Sequence, residues 1–191
     1  MDAKEKEYQR QLHLEFLKTI HDEKTKTQGT RATYITSKFA FITGLFGLGV
    51  LKVDKLDFHW LLYLVPLVAL GYDLYIRAED LSIKKIGAFL RSDPEAGTAP
   101  SEKAWEGFSA RYRDKLAQFA TSLFTFIITI AAAVYVFAHQ NTEPAGFQNT
   151  GFWIGFGIWF ATCCIANIGL WISHRMQIKK LDKVNTPKPE E

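Results

Sequence analysis

Cysteine, histidine and proline are all scarce, at two, five and six residues in a chain of 191. Cys163 and Cys164 are neighbours inside an apolar run. Adjacent thiols bridge only with strain, and two thiols alone do not make a zinc site. A disulfide-stapled fold is thereby excluded, and the pair reads as small packing residues. His13, His21, His59, His139 and His174 are scattered with no metal-ligand spacing. No Gly-Lys-Ser/Thr phosphate cradle occurs. Gly71-Tyr72-Asp73 supplies one half of an intramembrane aspartyl dyad, but no second intramembrane Asp shares its proton. Ile154-Gly155-Phe156-Gly157 has glycines like those of a potassium filter, without the Thr-Val before them or a pore helix. No catalytic residue, metal or cofactor is expected. The first 30 residues also lack the apolar core of a secretory signal, so the first apolar stretch is expected to act as signal-anchor.

Charge is missing in blocks. Residues 35–53, 58–76, 116–139 and 152–172 hold almost none, although 23% of the chain is charged. Each block approaches the ~20 residues that carry a helix across ~30 Å of hydrocarbon. The expected fold class is all-α: an integral membrane four-helix protein with a small cytoplasmic helical bundle. The expected divisions are an N-terminal helix over 1–30, spans one and two within 31–77, a helical connection over 78–115, spans three and four within 116–174, and a tail over 175–191.

Lys and Arg orient such a chain. Eight lie before or just inside the first span, eight in the connection after the second, and five in the tail. Only Lys52 and Lys55 fall in the turn between spans one and two, and none in 140–151. Both termini are therefore expected in the cytoplasm. Acidic residues leave the connection neutral and the two ends each at about +2, far from the strongly basic field of a dedicated nucleic-acid binder.

The polar segments carry helical patterns. Tyr8, Leu12, Phe16 and Ile20 form a four-residue stripe, and Gly29 is expected to break that helix before the membrane. The second span is expected to run on to Arg91, followed by a turn over 92–100. Ser101 is expected to cap a new helix, with Glu102 near its N-terminus. The spacing of Trp105, Phe108, Tyr112, Leu116 and Phe119 predicts that this helix continues unbroken into the third span.

Within the apolar blocks, Gly44 and Gly47 in span one, and Gly151, Gly155, Gly157 and Gly169 in span four, read as close-packing faces. Gln118, Ser122, Thr125 and Thr129 repeat at four, three and four residues along span three. That hydroxyl stripe either bonds back to its own helix or lines a pore. Asp73, the one acidic residue in an apolar block, has Arg77 one turn on as the expected partner, and Asn167 lies at similar depth. These three are the candidates for a gate or ion vestibule. Lys84, Lys85, Arg111 and Arg113 are candidates for an anionic ligand.

The runs Tyr72-Asp73-Leu74-Tyr75-Ile76, Ile83-Lys84-Lys85-Ile86-Gly87, Phe89-Leu90-Arg91 and Trp105-Glu106 resemble small multi-span bacterial proteins. With the cytoplasmic helices they are similar to membrane components of anti-phage operons: Hailong-type channels, Kiwa-type membrane subunits and SLATT-domain proteins. That resemblance implies an oligomer, a tetramer in the favoured form, paired with a cytosolic protein or a nucleotide or oligonucleotide ligand. Two functions follow as expectations. One is a homo-oligomeric channel gated from its cytoplasmic region. The other is a non-conducting sensor or anchor that recruits a cytosolic, DNA-binding partner.

Overall fold

The computed structural model describes residues 3–53, 56–92, 99–112, 115–142 and 150–184. The chain is all-helical: α1 (Ala3–Val50), α2 (Leu64–Ser92), α3 (Pro100–Arg111), α4 (Lys115–Thr142) and α5 (Thr150–Val184). A two-residue antiparallel ladder, β1 (Lys52–Val53) with β2 (Leu56–Asp57), and a 3₁₀ turn (His59–Tyr63) join α1 to α2. Four helical stretches are long and apolar enough to cross a membrane, within Lys4–Val50, His59–Arg91, Phe119–Gln140 and Thr150–Asp182.

Three local expectations are corrected. Gly29 does not interrupt α1, which runs on to Val50. One glycine costs a helix only ~1 kcal/mol, and a helix that continues for several turns on both sides outweighs it. Ser101 is not the cap of α3. Ala99 takes that position without a side-chain bond, and Pro100 opens the helix, its fixed φ already suited to a first turn. The aromatic stripe of α3 does not continue unbroken into α4. α3 closes at Arg111, with the Tyr112 amide donating to the Phe108 carbonyl (3.0 Å), and α4 starts at Lys115.

The chain divides into two compact units. One comprises Thr33–Ile76 and Lys115–Ser173. Its core is a buried cluster of Ile42, Leu62, Val65, Ala69, Ala132 and Val136. Gly49 permits the end of α1 to meet the 3₁₀ turn: a Cβ there would stand 2.8 Å from the Leu62 side chain. Around this core the large apolar side chains point outward. Phe41, Leu67, Ile127, Val134 and Ile158 are exposed, and Ile165 reaches 70%. On α5, Gly155, Gly157 and Gly169 have nothing near the position of a Cβ.

The other unit comprises the described residues of Met1–Ala32, Arg77–Asp114 and His174–Glu191. Charge rather than apolar volume organises it. The Phe16 and Phe89 rings meet edge to face at 6.2 Å, although Phe16 stays exposed, as do Leu12 and Tyr8 one and two turns earlier. Lys24 bonds Glu106, and His21 bonds Glu102. Asp80 gathers Lys84, Arg31 (3.4 Å) and His174 (3.0 Å) around one buried carboxylate. Burial alone would raise the pKa of that carboxyl. The bonds from His174 and Lys84, with the charge of Arg31, instead hold it well below the usual carboxylate range.

Candidate functional site

Lys38 lies three residues inside the first apolar block, and Asp73 lies three residues from the end of the second. Antiparallel helices of equal rise set two such positions at one level. Their side chains meet there. Lys38 Nζ donates to Asp73 Oδ1 at 2.6 Å, with both residues at most 1% exposed. A third helix closes the group. Thr125 Oγ1 on α4 accepts from Lys38 at 2.6 Å and donates to Asp73 Oδ2, also at 2.6 Å. The third ammonium proton reaches the Thr121 carbonyl at 3.2 Å. Phe124 presents its ring 5.3 Å from the same nitrogen.

Each donor of the ammonium and each carboxylate oxygen thus has a partner. That completeness decides whether the group can exist. Two charges out of water cost several kcal/mol each even after relaxation, and their attraction offsets this only when the remaining hydrogen-bonding positions are filled. Asp73 therefore takes its counter-ion from α1, not from Arg77 on its own helix as the four-residue spacing predicts. Arg77 is buried in the other unit.

The hydroxyl stripe of α4 faces inward within the protomer: Thr125 is fully buried, Thr129 2% exposed and Ser122 6%. Thr129 donates to the Thr125 carbonyl at 2.7 Å, the back-bond that threonine forms in helices. The side chain of Gln118 lies outside the described residues. Asn167 on α5 donates Nδ2 to the Ser122 carbonyl at 3.1 Å, and its buried Oδ1 accepts no hydrogen bond. It stands in the wall of an outward-opening cavity of about 340 Å³, lined otherwise by apolar groups such as Phe126 and Trp171.

The four basic ligand candidates are not brought together. Lys84 bonds Asp80, Lys85 is exposed, Arg111 is exposed at the end of α3, and Arg113 lies outside the described residues. Among the described residues no three His, Cys, Asp or Glu side chains converge as a metal site would require. Cys163 and Cys164 are free thiols.

Lys38 was missed because it counts among the cations before the span, yet a sequence signal existed. It is the one cation within the apolar part of α1, and Asp73 is the one acid in any apolar block. A charge at that depth needs a partner, and only one complement was on offer. Chemically, the group can hold a charge pair in a dry interior, or neutralise it by moving one proton from the ammonium to the carboxylate. No protein-family model, characterised protein or solved structure matches the chain.

Proposed function

We propose that the chain is a homo-oligomeric channel of a bacterial inner membrane whose gate is the Lys38–Asp73–Thr125 group. The observation that carries this reading is the full burial of opposite charges bonded across three helices that are each apolar enough to span a bilayer. In such helices an ionisable residue is expensive, and a paired one is by default a candidate for an ion or proton pathway. The outward face of the same unit is almost wholly apolar, which suits a hydrocarbon surround. Cationic residues concentrate on one side of the apolar blocks, which favours both termini in the cytoplasm.

The closed group shuts a dry core. Separating Lys38 from Asp73 requires water at both charges, and Thr125 beside them, with Thr129 one turn further along α4, supplies hydroxyls for it. Opening thus converts a satisfied network into a hydrated path. Cell depolarisation would then serve as the effector output of a defence system, in keeping with the family resemblance. The decisive experiment is ion flux from liposomes carrying the purified chain. Lys38→Met and Asp73→Asn, each stranding one charge, should raise basal flux. The volume-matched double variant Lys38→Met/Asp73→Leu should be silent. Folded single variants as tight as protein-free liposomes would reject a gate at this position.

A second reading has its own observation. Trp105, Phe108 and Tyr112 stack in series along α3, at 6.0 and 4.6 Å between rings, and all three are more than half exposed. A row of exposed aromatic rings is a usual anchor for a protein partner, as a non-conducting membrane sensor would need. Co-purification that survives Lys38→Met but is lost with Trp105→Ala/Phe108→Ala, with no flux in any variant, would favour it.

A further inference from the structure

A polar cavity of about 260 Å³ lies within the unit that contains α3, walled by α1, α2 and α3. Lys24 and Gln28 line it from α1, Lys84 and Arg91 from α2, and Trp105 and Glu106 from α3. Three cations and one carboxylate thus line it, with Lys84 also bonded to Asp80 behind the wall. That carboxylate, Glu106, is buried, bonded to Lys24, and fitted so closely over Gly87 that a Cβ there would stand 2.8 Å from its Oε2.

Arg91 is the unusual member. It is half-buried, yet its one hydrogen bond among the described residues is a long one, 3.4 Å, to the Glu106 carbonyl, and it forms no ion pair there. A guanidinium offers five donors in a planar fork matched to carboxylate and phosphate oxygens. Here nearly all of that capacity opens onto a cavity that already holds two lysines. Trp105, 64% exposed, lines the same cavity, its indole stacked on Phe108 at 6.0 Å between ring centres.

We propose that this cavity binds a small soluble phosphomonoester carrying an aromatic ring, with Arg91 gripping the phosphate and Trp105 stacking on the ring. Glu106 occupies Lys24 while the site is empty and yields that lysine to the incoming phosphate. The volume lies just below the lower bound of ordinary ligand pockets, about 300 Å³, which suits a ligand of one ring and one phosphate and not an oligonucleotide. Because Lys24 belongs to α1, the helix that also carries Lys38, release of Glu106 gives the channel reading its trigger. The site rests on that reading for its consequence alone.

Calorimetry on the full chain in detergent tests the site without reference to conduction, using phenyl phosphate and inorganic phosphate as probes. Phenyl phosphate should bind more tightly than inorganic phosphate, and Trp105→Leu should abolish that difference while leaving phosphate binding. Arg91→Gln should weaken both about tenfold or more, as expected for losing a charge-assisted hydrogen bond. Arg91→Lys, which keeps the charge and loses the fork, should weaken both less than Arg91→Gln, a check independent of any folding defect in the latter. Glu106→Gln should tighten binding by freeing Lys24. Lys85→Gln, outside the cavity, should change nothing.

No heat from phenyl phosphate at concentrations above about 1 mM, with the chain helical and monodisperse, would overturn the proposal. Equal binding by wild type, Arg91→Gln and Arg91→Lys would overturn it too. Nanodiscs with and without phosphatidic acid separate the ligand sources. Saturation by the lipid headgroup with no response to phenyl phosphate would overturn the soluble one. Binding without ion flux would reject the channel and leave this site standing.

Discussion

Lys38 and Asp73, 35 residues apart, meet at 2.6 Å with almost no exposure. A buried pair of this kind is not a simple source of stability. Removing one partner strands a charge, at about 3–5 kcal/mol, whereas replacing both by apolar groups of similar volume is often neutral. Lys38→Met and Asp73→Leu should each destabilise by about that amount, and the double variant by much less than their sum. Unfolding in mixed micelles with rising SDS measures the cycle. Additive losses would mean that the two side chains are not energetically coupled.

Thr125 should matter more than its neighbour on the same stripe. Its hydroxyl bridges both charges, so Thr125→Val leaves a buried carboxylate oxygen and an ammonium proton unpartnered, at about 1–3 kcal/mol. Thr125→Ser should recover most of that loss. Thr129 only bonds back to its own helix, so Thr129→Val, which leaves no charged group unpartnered, should cost clearly less than Thr125→Val. The same SDS titration, run on all three variants, ranks them.

Gly49→Ala should destabilise by about 1–3 kcal/mol, the usual cost of overpacking. The added methyl would sit 2.8 Å from the side chain of Leu62, which is fully buried and has no room to retreat. Gly155→Ala, where nothing lies near the Cβ position, should leave the isolated protomer unchanged. Thermal unfolding in detergent compares the two.

The contact between α1 and α3 at His21 should weaken with rising pH. His21 has its pKa raised, chiefly by its bond to the Leu17 carbonyl; burial opposes this, and the bond and charge of Glu102 add to the rise. A raised folded-state pKa means that the bond to Glu102 contributes fully below the unfolded value, about 6.5, and is lost as pH climbs through the folded value. Amide exchange in α3 should therefore quicken as pH rises above about 6.5, beyond the intrinsic base-catalysed rise. In His21→Gln only the intrinsic rise should remain. Asp80 works in the opposite sense. Its depressed pKa makes its bonds to Lys84 and His174 fully present above the ordinary carboxylate value, and lost as pH falls through the lowered one.

The helices were legible in the residues because blocks without charge and blocks rich in charge scarcely overlap. The ends of the elements were less so. Gly29 looks like a stop and is not one, because a weak local preference yields to helix on both sides. Nothing in the spacing of Trp105, Phe108 and Tyr112 marks the end of α3 at Arg111. The pairing of Asp73 was the costliest miss. The four-residue rule applies within one helix, and Arg77 satisfied it, while the true partner depended on which helices pack together. Ser122, Thr125 and Thr129 were visible as a stripe, but its inward aspect depends on how α4 is rotated, which periodicity alone does not state.

The burial of the Lys38 ammonium gives it a chemical silence that no other lysine among the described residues shares in equal measure. An acylating reagent needs an unprotonated amine open to collision, and the Lys38 nitrogen is charged, triply bonded to oxygen acceptors and screened from the surroundings. Mass spectrometry after a brief pulse of such a reagent would therefore read residue 38 as unlabelled until the helices part, turning a native side chain into a recorder of how often, and how briefly, they do.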